Sequence, residues 1–479
     1  MRHPRSFDLP LSLDRDAPSP LGAQLADGLR EAILGGLLRG GEALPSTRTL
    51  AARLAVSRGT VVAAFDQLHG EGWLVADTGA TRVDPGVRPT ALVPPGRPEV
   101  DVPQADPSGS KPPGVDLRPG QPDVSSVVDG AWRAAWREAV RHPGARHDPP
   151  GSPDLRHALA DHVRTARGVG VDPREMLVTA GVREGLQLVL TARALAPGAW
   201  HRLRVAVEDP GYPALRRVVA ALGHEVVPVP VDGSGLRVDL LEAGTDVVLV
   251  TPGHQYPLGG AMPVARRLDL ISWAREHGAL VVEDDYDGEL RFTGEPVPAL
   301  AALDRPSPVG VVVTLGSFAK VLAPGIGLGH AIVPEPLRDS ATRLRADLGC
   351  PVPATVQDAL CHYLAAGALR RHVARMRRRY RARRDLAVAV LSGLDGVMLR
   401  PMDGGLHALV ELGDAERERA VVAAAARAGV LVSGMAEYWA DAGPPRAAEG
   451  LPRHGLVIGL GSPDIADGLT RLRSVLAAG

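Results

Sequence analysis

A chain of 479 residues, of which 45% are hydrophobic and 23% charged, has the composition of a globular protein with room for two to four domains. Its formal net charge of −1 argues against nonspecific coating of nucleic acid but leaves room for a local basic patch. The sequence has neither an apolar signal-peptide core nor an apolar run long enough to span a membrane, so we expect a cytoplasmic protein without membrane attachment.

The chain divides at a stretch rich in Pro, Gly and Ser. Residues 85–115 show neither helical nor strand periodicity, which is typical of a linker that its prolines keep partly extended. We therefore predict three segments: a small N-terminal domain at 15–84, the linker at 85–115 and a large C-terminal domain at 116–479.

The N-terminal domain has the pattern of a winged helix-turn-helix. Apolar residues recur at helical spacing over residues 21–34, and a Gly-Gly pair ends the pattern. Two short helices follow, with Ser46 and Ser57 as predicted N-caps, and the tight connection between them indicates a helix-turn-helix. The segment WLVADTGATRVDP then predicts two short strands around a glycine turn, the wing.

Charge placement favours DNA as the partner of this domain. Residues 43–65 contain three arginines and no carboxylate, and the N-terminal end of a recognition helix is the part that reaches base edges in the major groove. A helical hairpin that contacts another protein is the alternative. The residues that we expect to contact double-stranded DNA are Arg48, Ser57, Arg58, Thr60 and, in the wing, Thr81.

The C-terminal domain alternates strand-like and helix-like segments. The apolar runs that indicate strands are residues 176–180, 203–208, 247–251, 279–284, 309–315 and 330–334. With helical stretches between them, this order predicts a mostly parallel sheet wrapped by helices, and ligands bound beyond the carboxyl ends of the strands. The chain as a whole is predicted to be a multidomain α/β protein. Cys350 and Cys361 have no metal-site spacing, which favours free thiols over a disulfide.

The lysine content singles out one residue. Among the 54 Lys and Arg residues only two are lysines, namely Lys111 in the linker and Lys320 just after a predicted strand. Arginine can serve salt bridges and phosphates, but only a lysine amine can lose its proton and attack a carbonyl carbon. Lys320 is therefore a candidate for Schiff-base formation, and the alternative is an incidental surface lysine.

Polar residues also follow the other predicted strands. Residues 283–287, EDDYD, hold four carboxylates, which are costly at a buried strand end unless a positive group pairs with one of them. A solvated loop or a divalent metal site is the alternative. Tyr212 lies on a turn after another strand, and Gly181 begins a helix whose free amides suit a phosphate. An amine, a carboxylate, an aromatic ring and a phosphate cradle together suit pyridoxal 5′-phosphate (PLP).

The segments EDPGYP, VTPGHQYPLG, EDDYDGELRF and SFAK occur in the order and spacing of fold-type I aminotransferases. Together with the N-terminal segment LPSTRTLAARLAVSRGTVVAAFDQLHGEGWL, they make the chain resemble the MocR/GabR subfamily of GntR transcription regulators. The resemblance covers nearly the whole chain outside the linker. The resemblance implies a winged helix joined to a PLP-dependent transferase fold of type I.

The resemblance also implies a role for each matching residue. Lys320 would form a Schiff base with PLP, Asp284 would pair with the ring nitrogen, and Tyr286 would bond to the ring hydroxyl oxygen. Tyr212 would stack on the ring. Ser317 and the amides after Gly181 would hold the phosphate, with Gly181, Val182 and Arg183 at the start of the helix as the binding segment.

Three positions depart from the pattern of the subfamily. Gly327 stands where similar proteins have a phosphate-binding arginine, and His147 stands where they have a phosphate-binding tyrosine from the neighbouring subunit. Val457 takes the place of an arginine that binds substrate carboxylates, although Arg453 is near it in sequence. These changes count against tight PLP binding and against amino-acid transamination, and Arg183 can supply the missing cation.

Three functions stay open. The first is a homodimeric transcription regulator that binds an operator and senses PLP or an amine that reacts with it; the resemblance implies a domain-swapped dimer, in which each winged helix packs against the partner subunit's large domain. The second is a regulator whose large domain has lost PLP and reads another ligand. The third is a working PLP-dependent aminotransferase, although a purely metabolic enzyme has no use for a winged helix.

Overall fold

The chain divides into two compact units, Met1–Gly109 and Ser110–Gly479. The computed structural model describes residues 11–17, 19–77, 80–87, 114–141, 147–195, 200–292, 298–304, 309–400, 403–440, 451 and 453–478. The greater part of the predicted linker, residues 88–113 and with it Lys111, lies outside the described residues. The predicted limits of the three segments therefore stay predictions.

The N-terminal unit is a winged helix, as predicted. Its helices and strands are α1 (Leu21–Leu34), α2 (Thr47–Leu54), α3 (Arg58–Gly70), β1 (Leu74–Asp77) and β2 (Ala80–Val83). Both predicted N-caps are present, because the Ser46 hydroxyl accepts from the Thr49 amide at 3.2 Å and the Ser57 hydroxyl from the Thr60 amide at 3.0 Å. Ala55 lies between α2 and α3 in the left-handed conformation, with φ +52°, which lets the two helices follow each other so closely.

The core of this unit consists of apolar residues that α1 and α3 bury against the wing. Leu25, Leu29, Phe65 and Leu68 are at most 4% exposed, and Leu74 at the start of the wing packs into the same cluster. β1 and β2 pair antiparallel, and Val83 of β2 packs into the same cluster, which joins the wing to this core.

The C-terminal unit is built on an eight-stranded sheet of order β4-β11-β10-β9-β8-β5-β6-β7. Its strands are β4 (Met176–Thr179), β5 (Arg204–Asp209), β6 (Glu225–Asp232), β7 (Gly235–Leu236), β8 (Val247–Val250), β9 (Leu280–Asp285), β10 (Val312–Ser317) and β11 (Gly329–Ile332). The five strands from β10 to β6 pair in parallel, whereas β11 and β7 pair antiparallel to their neighbours. The predicted mostly parallel sheet is confirmed.

Both faces of this sheet are buried, which explains the continuous apolar runs of its strands. In β8, Val248 and Val250 join one hydrophobic cluster, while Val247 and Leu249 join another on the opposite face. The helices of this unit are α4 (Gly130–Ala139), α5 (Pro153–Arg167), α6 (Val182–Ala194), α7 (Pro213–Ala221), α8 (Val264–His277), α9 (Leu300–Asp304), α10 (Glu335–Leu348), α11 (Ala354–Ala365), α12 (Ala368–Leu391), α13 (Ala415–Arg427) and α14 (Ile465–Ala478).

Two smaller sheets complete the C-terminal unit. Their strands are β3 (Val115–Asp116), β12 (Met398–Leu399), β13 (His407–Glu411), β14 (Val430–Leu431), β15 (Ser433–Gly434) and β16 (Gly455–Gly459). The antiparallel order is β12-β13-β16-β15, and β14 pairs in parallel with β3. Cys350 and Cys361 are free thiols, as predicted. No helix in the described part of the chain combines the length and apolar character that a membrane span requires.

Candidate cofactor site and nucleic-acid interface

A cavity of about 460 Å³ opens beyond the carboxyl ends of the parallel strands, where the topology of such sheets places ligand sites. All eight residues predicted to bind the cofactor line it: Gly181, Val182, Arg183, Tyr212, Asp284, Tyr286, Ser317 and Lys320. They come from separate stretches of sequence, and the parallel strands β5, β9 and β10 carry several of them to the same edge of the sheet.

Lys320 follows β10 and points its amine into this cavity. Its Nζ donates a hydrogen bond of 2.6 Å to the carbonyl oxygen of Gly120, from a segment 200 residues away. Burial lowers the pKa of the Lys320 amine, while the carboxylates of Asp284 and Asp287 act in the opposite direction. A lowered pKa enlarges the fraction of neutral amine, the form that attacks a carbonyl carbon.

Asp284 is a buried carboxyl group with one oxygen that lacks a hydrogen-bond partner. Its side chain is 3% exposed, and its Oδ1 atom has no hydrogen-bond partner. Burial, followed by the neighbouring carboxylates of Asp285 and Asp287, raises the pKa of Asp284 to about 8. Because a buried carboxyl oxygen without a partner is costly, a cationic ring nitrogen at this atom would satisfy it. The residues present therefore fit PLP.

Tyr286 is held by a chain of buried polar groups. Its hydroxyl donates to the His254 carbonyl oxygen at 3.1 Å and lies 2.9 Å from Nδ1 of the same histidine, which is also 2.9 Å from Asp287. His254, Asp287 and His407 offer donor atoms within 4.8 Å of one another, a set that could also hold a metal ion. Since hydrogen bonds already use His254 Nδ1, Asp287 and His407 Nε2, we assign the group to the orientation of Tyr286.

The start of α6 forms an amide cradle beside Ser317. Gly181 is its N-cap with φ +98°, and Val182 and Arg183, whose amides lie in the first turn, line the cavity. A Cβ at Gly329 would lie 2.9 Å from the Cα of Gly181, so only glycine allows β11 to pass this close. The Arg183 guanidinium donates to the Tyr212 hydroxyl at 3.3 Å, which places a cation next to the cradle.

The departures from the subfamily pattern have distinct surroundings. Gly327 ends a short 3₁₀ turn in the left-handed conformation, and a Cβ there would meet no atom within 4 Å. His147 lies 2.7 Å from Asp358 and does not line the cavity. Val457 is fully buried in an apolar cluster with Tyr256, and Arg453 lies over the Trp439 ring at 5.6 Å. Among the described residues that line the cavity, the cations are Arg183 and Lys320.

The carboxylates after β9 are paired with groups that lie far away in the sequence. Arg167, at the end of α5, bonds to Asp285 at 2.6 Å with only 5% of its side chain exposed. Glu283 accepts from the Leu300 amide and from the Thr314 hydroxyl, the latter at 2.9 Å. Arg167 is thus the positive group that pairs with one of these carboxylates, and the sequence did not single it out, because no local pattern marks it.

Other residues of the cavity also escaped the sequence analysis. Gly120 and Gln121 precede any strand of the large sheet, and His407 lies on β13 of a smaller sheet. Tyr256 and His254 belong to the quoted segment VTPGHQYPLG, which was a signal for the family but carried no role for either residue. Tyr256 lines the cavity with its ring 5.4 Å from that of Tyr212.

Glu208 lies behind the cavity and leads to a prediction about pH. It accepts from the Thr251 hydroxyl at 2.5 Å, its Oε1 has no partner, and burial raises its pKa from 4.5 to about 7. Between pH 4.5 and about pH 7 the Glu208 carboxyl is protonated in the native state and ionised in the unfolded chain, so the free energy of unfolding falls as pH rises. The free energy of unfolding of the parent is expected to fall between pH 5 and pH 8. In Glu208→Gln this fall is expected to be smaller by about 1–3 kcal/mol. Thermal unfolding of the PLP-free protein at both pH values measures this, and parallel curves for parent and variant would contradict it.

The predicted DNA contacts lie on the helix-turn-helix and the wing of the N-terminal unit. Arg48 and Arg58, in the first turns of α2 and α3, are exposed, and Arg58 Nε donates to the Thr47 hydroxyl at 3.3 Å. The hydroxyls of Ser57 and Thr60 bond to each other at 2.9 Å, so the cap occupies both of them. Thr81 lies on β2 and is half-buried. The two arginines therefore have the side chains best placed to reach a duplex.

Comparison with known proteins gives the same two parts. Residues 115–441 match aminotransferase class I and II, and residues 21–83 match bacterial regulatory proteins of the gntR family. The chain is 42% identical over 461 residues to the HTH-type pyridoxine biosynthesis transcriptional regulator PdxR of Corynebacterium glutamicum, with 95% of each chain covered. It is 30% identical over 494 residues to the probable rhizopine catabolism regulatory protein MocR of Rhizobium meliloti, with 98% of this chain and 96% of that one covered.

Solved structures confirm the fold of the C-terminal unit. An archaeal alanine:glyoxylate aminotransferase superposes with a TM-score of 0.68 at 22% identity, covering 78% of this chain and 92% of that one. The kynurenine aminotransferase of Pyrococcus horikoshii gives a TM-score of 0.66 at 23% identity, with the same coverage. At these identities the likeness is one of fold, the fold-type I architecture of aminotransferases.

Proposed function

The chain belongs to the MocR-type transcription regulators of the GntR family, and on that basis we propose that it binds operator DNA through its winged helix and PLP through Lys320. The observation that carries the proposal is the unpaired Oδ1 of Asp284, which is buried in the same cavity as the lysine amine. A chain with this site and a DNA-binding domain has the parts of a regulator that reads PLP or an amine.

Each side chain of the cavity then has a task. Asp284 holds the ring nitrogen, Tyr286 bonds to the ring hydroxyl oxygen, and Tyr212 covers one face of the ring. Ser317 and the amides of the α6 cradle hold the phosphate. When bound, PLP supplies an electrophilic carbon for the Lys320 amine. The similarity to PdxR, a regulator of pyridoxine biosynthesis, supports PLP itself as a signal for this chain.

A second part of the proposal concerns assembly. We propose a homodimer, because a pair of winged helices reads two half-sites whose spacing follows from the dimer geometry. PLP alters DNA affinity only if the two winged helices are held differently in the loaded and the PLP-free states. Such a regulator acts where DNA and PLP are both present, in the cytoplasm.

Selection of bound duplexes from a random-sequence DNA pool, followed by anisotropy titration with and without PLP, tests this function. We expect an enriched sequence with two half-sites about one or two helical turns apart, and an affinity that changes when PLP is added. The proposal would be contradicted if the protein enriched no sequence. It would also be contradicted if the protein turned over an amino acid with a keto acid while its DNA affinity stayed the same with and without PLP. The second result would favour the aminotransferase alternative.

Arg183 is the cation proposed to replace the missing phosphate arginine. Arg183→Ala is expected to raise the Kd for PLP by about 10- to 100-fold, because the phosphate then has one charge-assisted hydrogen bond fewer. Absorbance titration with PLP measures it. Equal affinity in parent and variant would show that Arg183 does not hold the phosphate.

Gly327→Arg provides the matched gain-of-function variant. A side chain at this position has open space around its Cβ, although φ +55° costs a residue other than glycine about 1–2 kcal/mol. Placed in the Arg183→Ala background, the new cation is expected to recover part of the lost affinity. No recovery, in a variant that melts like the parent, would argue that the cradle does not lie next to position 327.

A further inference from the structure

The charges around the cavity limit what it can bind beside the cofactor, an inference that rests on the function proposed above. In the described part of the chain, the lining residues that carry a positive charge are Arg183 and Lys320. The proposed function uses both, since Arg183 serves the phosphate and Lys320 is the point of attachment. A second ligand therefore finds no cation of its own among these residues.

Acidic side chains lie at and behind the lining, and a cation beside them favours their ionised form. Asp284 lines the cavity itself, and Asp287 and Glu208 are each 4% exposed and close enough to act electrostatically on Asp284. The phosphate of the cofactor adds further negative charge. In a site of low dielectric, this arrangement favours a cation and repels a second anion.

The remaining wall is neutral. Tyr256 and Leu406 supply aromatic and aliphatic surface, and burial, followed by the effect of His254, lowers the pKa of His407 to about 4, so this ring is uncharged at neutral pH. Behind Tyr256 lies Val457, fully buried with apolar neighbours.

Two arginines that lie near this wall in sequence have other partners. Arg118, two residues before Gly120, forms a salt bridge of 2.8 Å with Asp116. Arg453 lies over the ring of Trp439, and neither arginine lines the cavity. A carboxylate placed against this wall would therefore be desolvated without a charged partner, which is among the most costly arrangements in a protein interior.

We propose that the cavity admits small carboxylate-free primary amines beside PLP and excludes the amino acids that differ from them by a carboxylate. At neutral pH the amine enters as an ammonium ion, which the phosphate of the cofactor attracts. An amino acid brings the same ammonium group together with a carboxylate for which the described lining holds no cation. The discrimination thus lies in the charge of the wall and not in its size.

Matched pairs of ligands test the proposal on the full-length, PLP-loaded protein. The pairs are phenethylamine with phenylalanine and isobutylamine with valine, and calorimetry gives the affinity of each while the visible spectrum reports on the loaded site. We expect each amine to bind about 10- to 100-fold more tightly than its amino acid, the cost of one unpaired buried charge. Equal binding, tighter binding of the amino acid or binding of neither member would overturn the inference.

The same experiment separates the inference from the function on which it rests. A protein that shows no visible band when PLP is added has failed the proposed function before any amine is tested. A protein that shows the band and then does not distinguish the paired ligands has failed only the inference about ligand class.

A charge variant tests the physical cause. Gln121 lines the cavity and is exposed, so Gln121→Arg adds a cation at the wall without disturbing the core. It is expected to narrow the preference for the amine by about tenfold, since a charge-assisted contact becomes available to the carboxylate. Leu268→Arg adds the same charge on α8, where Leu268 is 46% exposed and outside the cavity, and should leave the preference as in the parent. An unchanged preference in Gln121→Arg would overturn the electrostatic explanation.

Discussion

Lys320→Ala is expected to abolish the visible absorption band that PLP gives on binding the parent protein. Only the amine of Lys320 reaches the cavity as an attachment point among the described residues, and alanine leaves the cofactor held by noncovalent contacts alone. Absorbance titration with PLP across the near-ultraviolet and visible range measures the band. A band of parental intensity in the variant would show that another group holds the cofactor.

The lysine content of the chain offers a close control. Lys111 is the other lysine of the sequence, so Lys111→Ala removes the same side chain and is expected to leave the band unchanged. Lys320→Arg keeps a positive charge in the cavity but cannot attach to an aldehyde, and it should lack the band as the alanine variant does. If the arginine variant retained the band, the amine chemistry of Lys320 would not be its source.

Arg58→Ala is expected to weaken operator binding by about 10- to 100-fold, because an arginine at the start of a recognition helix reaches base edges or phosphates that alanine cannot reach. Removing Arg48 as well should lower the affinity further and reduce the slope of log affinity against log salt by about one unit for each phosphate that is no longer neutralised. Anisotropy titration of the selected operator at several salt concentrations measures both quantities.

The two units of the chain supply the controls for this experiment. The PLP spectrum of Arg58→Ala should match that of the parent, because the substitution lies in the N-terminal unit. Arg343→Ala removes one exposed arginine from α10 in the C-terminal unit and is expected to change operator affinity by less than about twofold. Parental DNA affinity for Arg58→Ala would contradict the assignment of α3 as the recognition helix.

Local patterns were sufficient for much of the fold. The serine caps of α2 and α3 depend on contacts within a few residues of each cap, and the apolar runs of the central strands require only that both sheet faces are covered. β6 was not predicted, because it contains Pro228 and Pro230, which lack the amide that a strand donates. Its short partner β7 pairs only with Val231 and Asp232, so the prolines face an edge without a partner strand.

Residue type and order along the chain were also sufficient to predict several residues of the cavity. The scarcity of lysine singled out Lys320, because only an amine can attack a carbonyl carbon. The acidic run after β9 pointed to Asp284, because a carboxylate at a buried strand end is costly without a positive partner. Their joint location followed from the rule that parallel strands present their carboxyl ends at one edge.

Pairing and burial were decided by the tertiary structure. Arg167 neutralises Asp285 across 118 residues of sequence, and the Gly120 carbonyl holds the Lys320 amine across 200. These pairings leave Asp284 as the buried carboxylate with an unpartnered oxygen at the cavity and leave the described wall around Tyr256 without a cation. The sequence determined which reactive groups exist and on which strand ends they stand, since those features depend on neighbours along the chain. Which of these groups stay unpaired depends on distant segments that fold against them, and that was settled only in three dimensions.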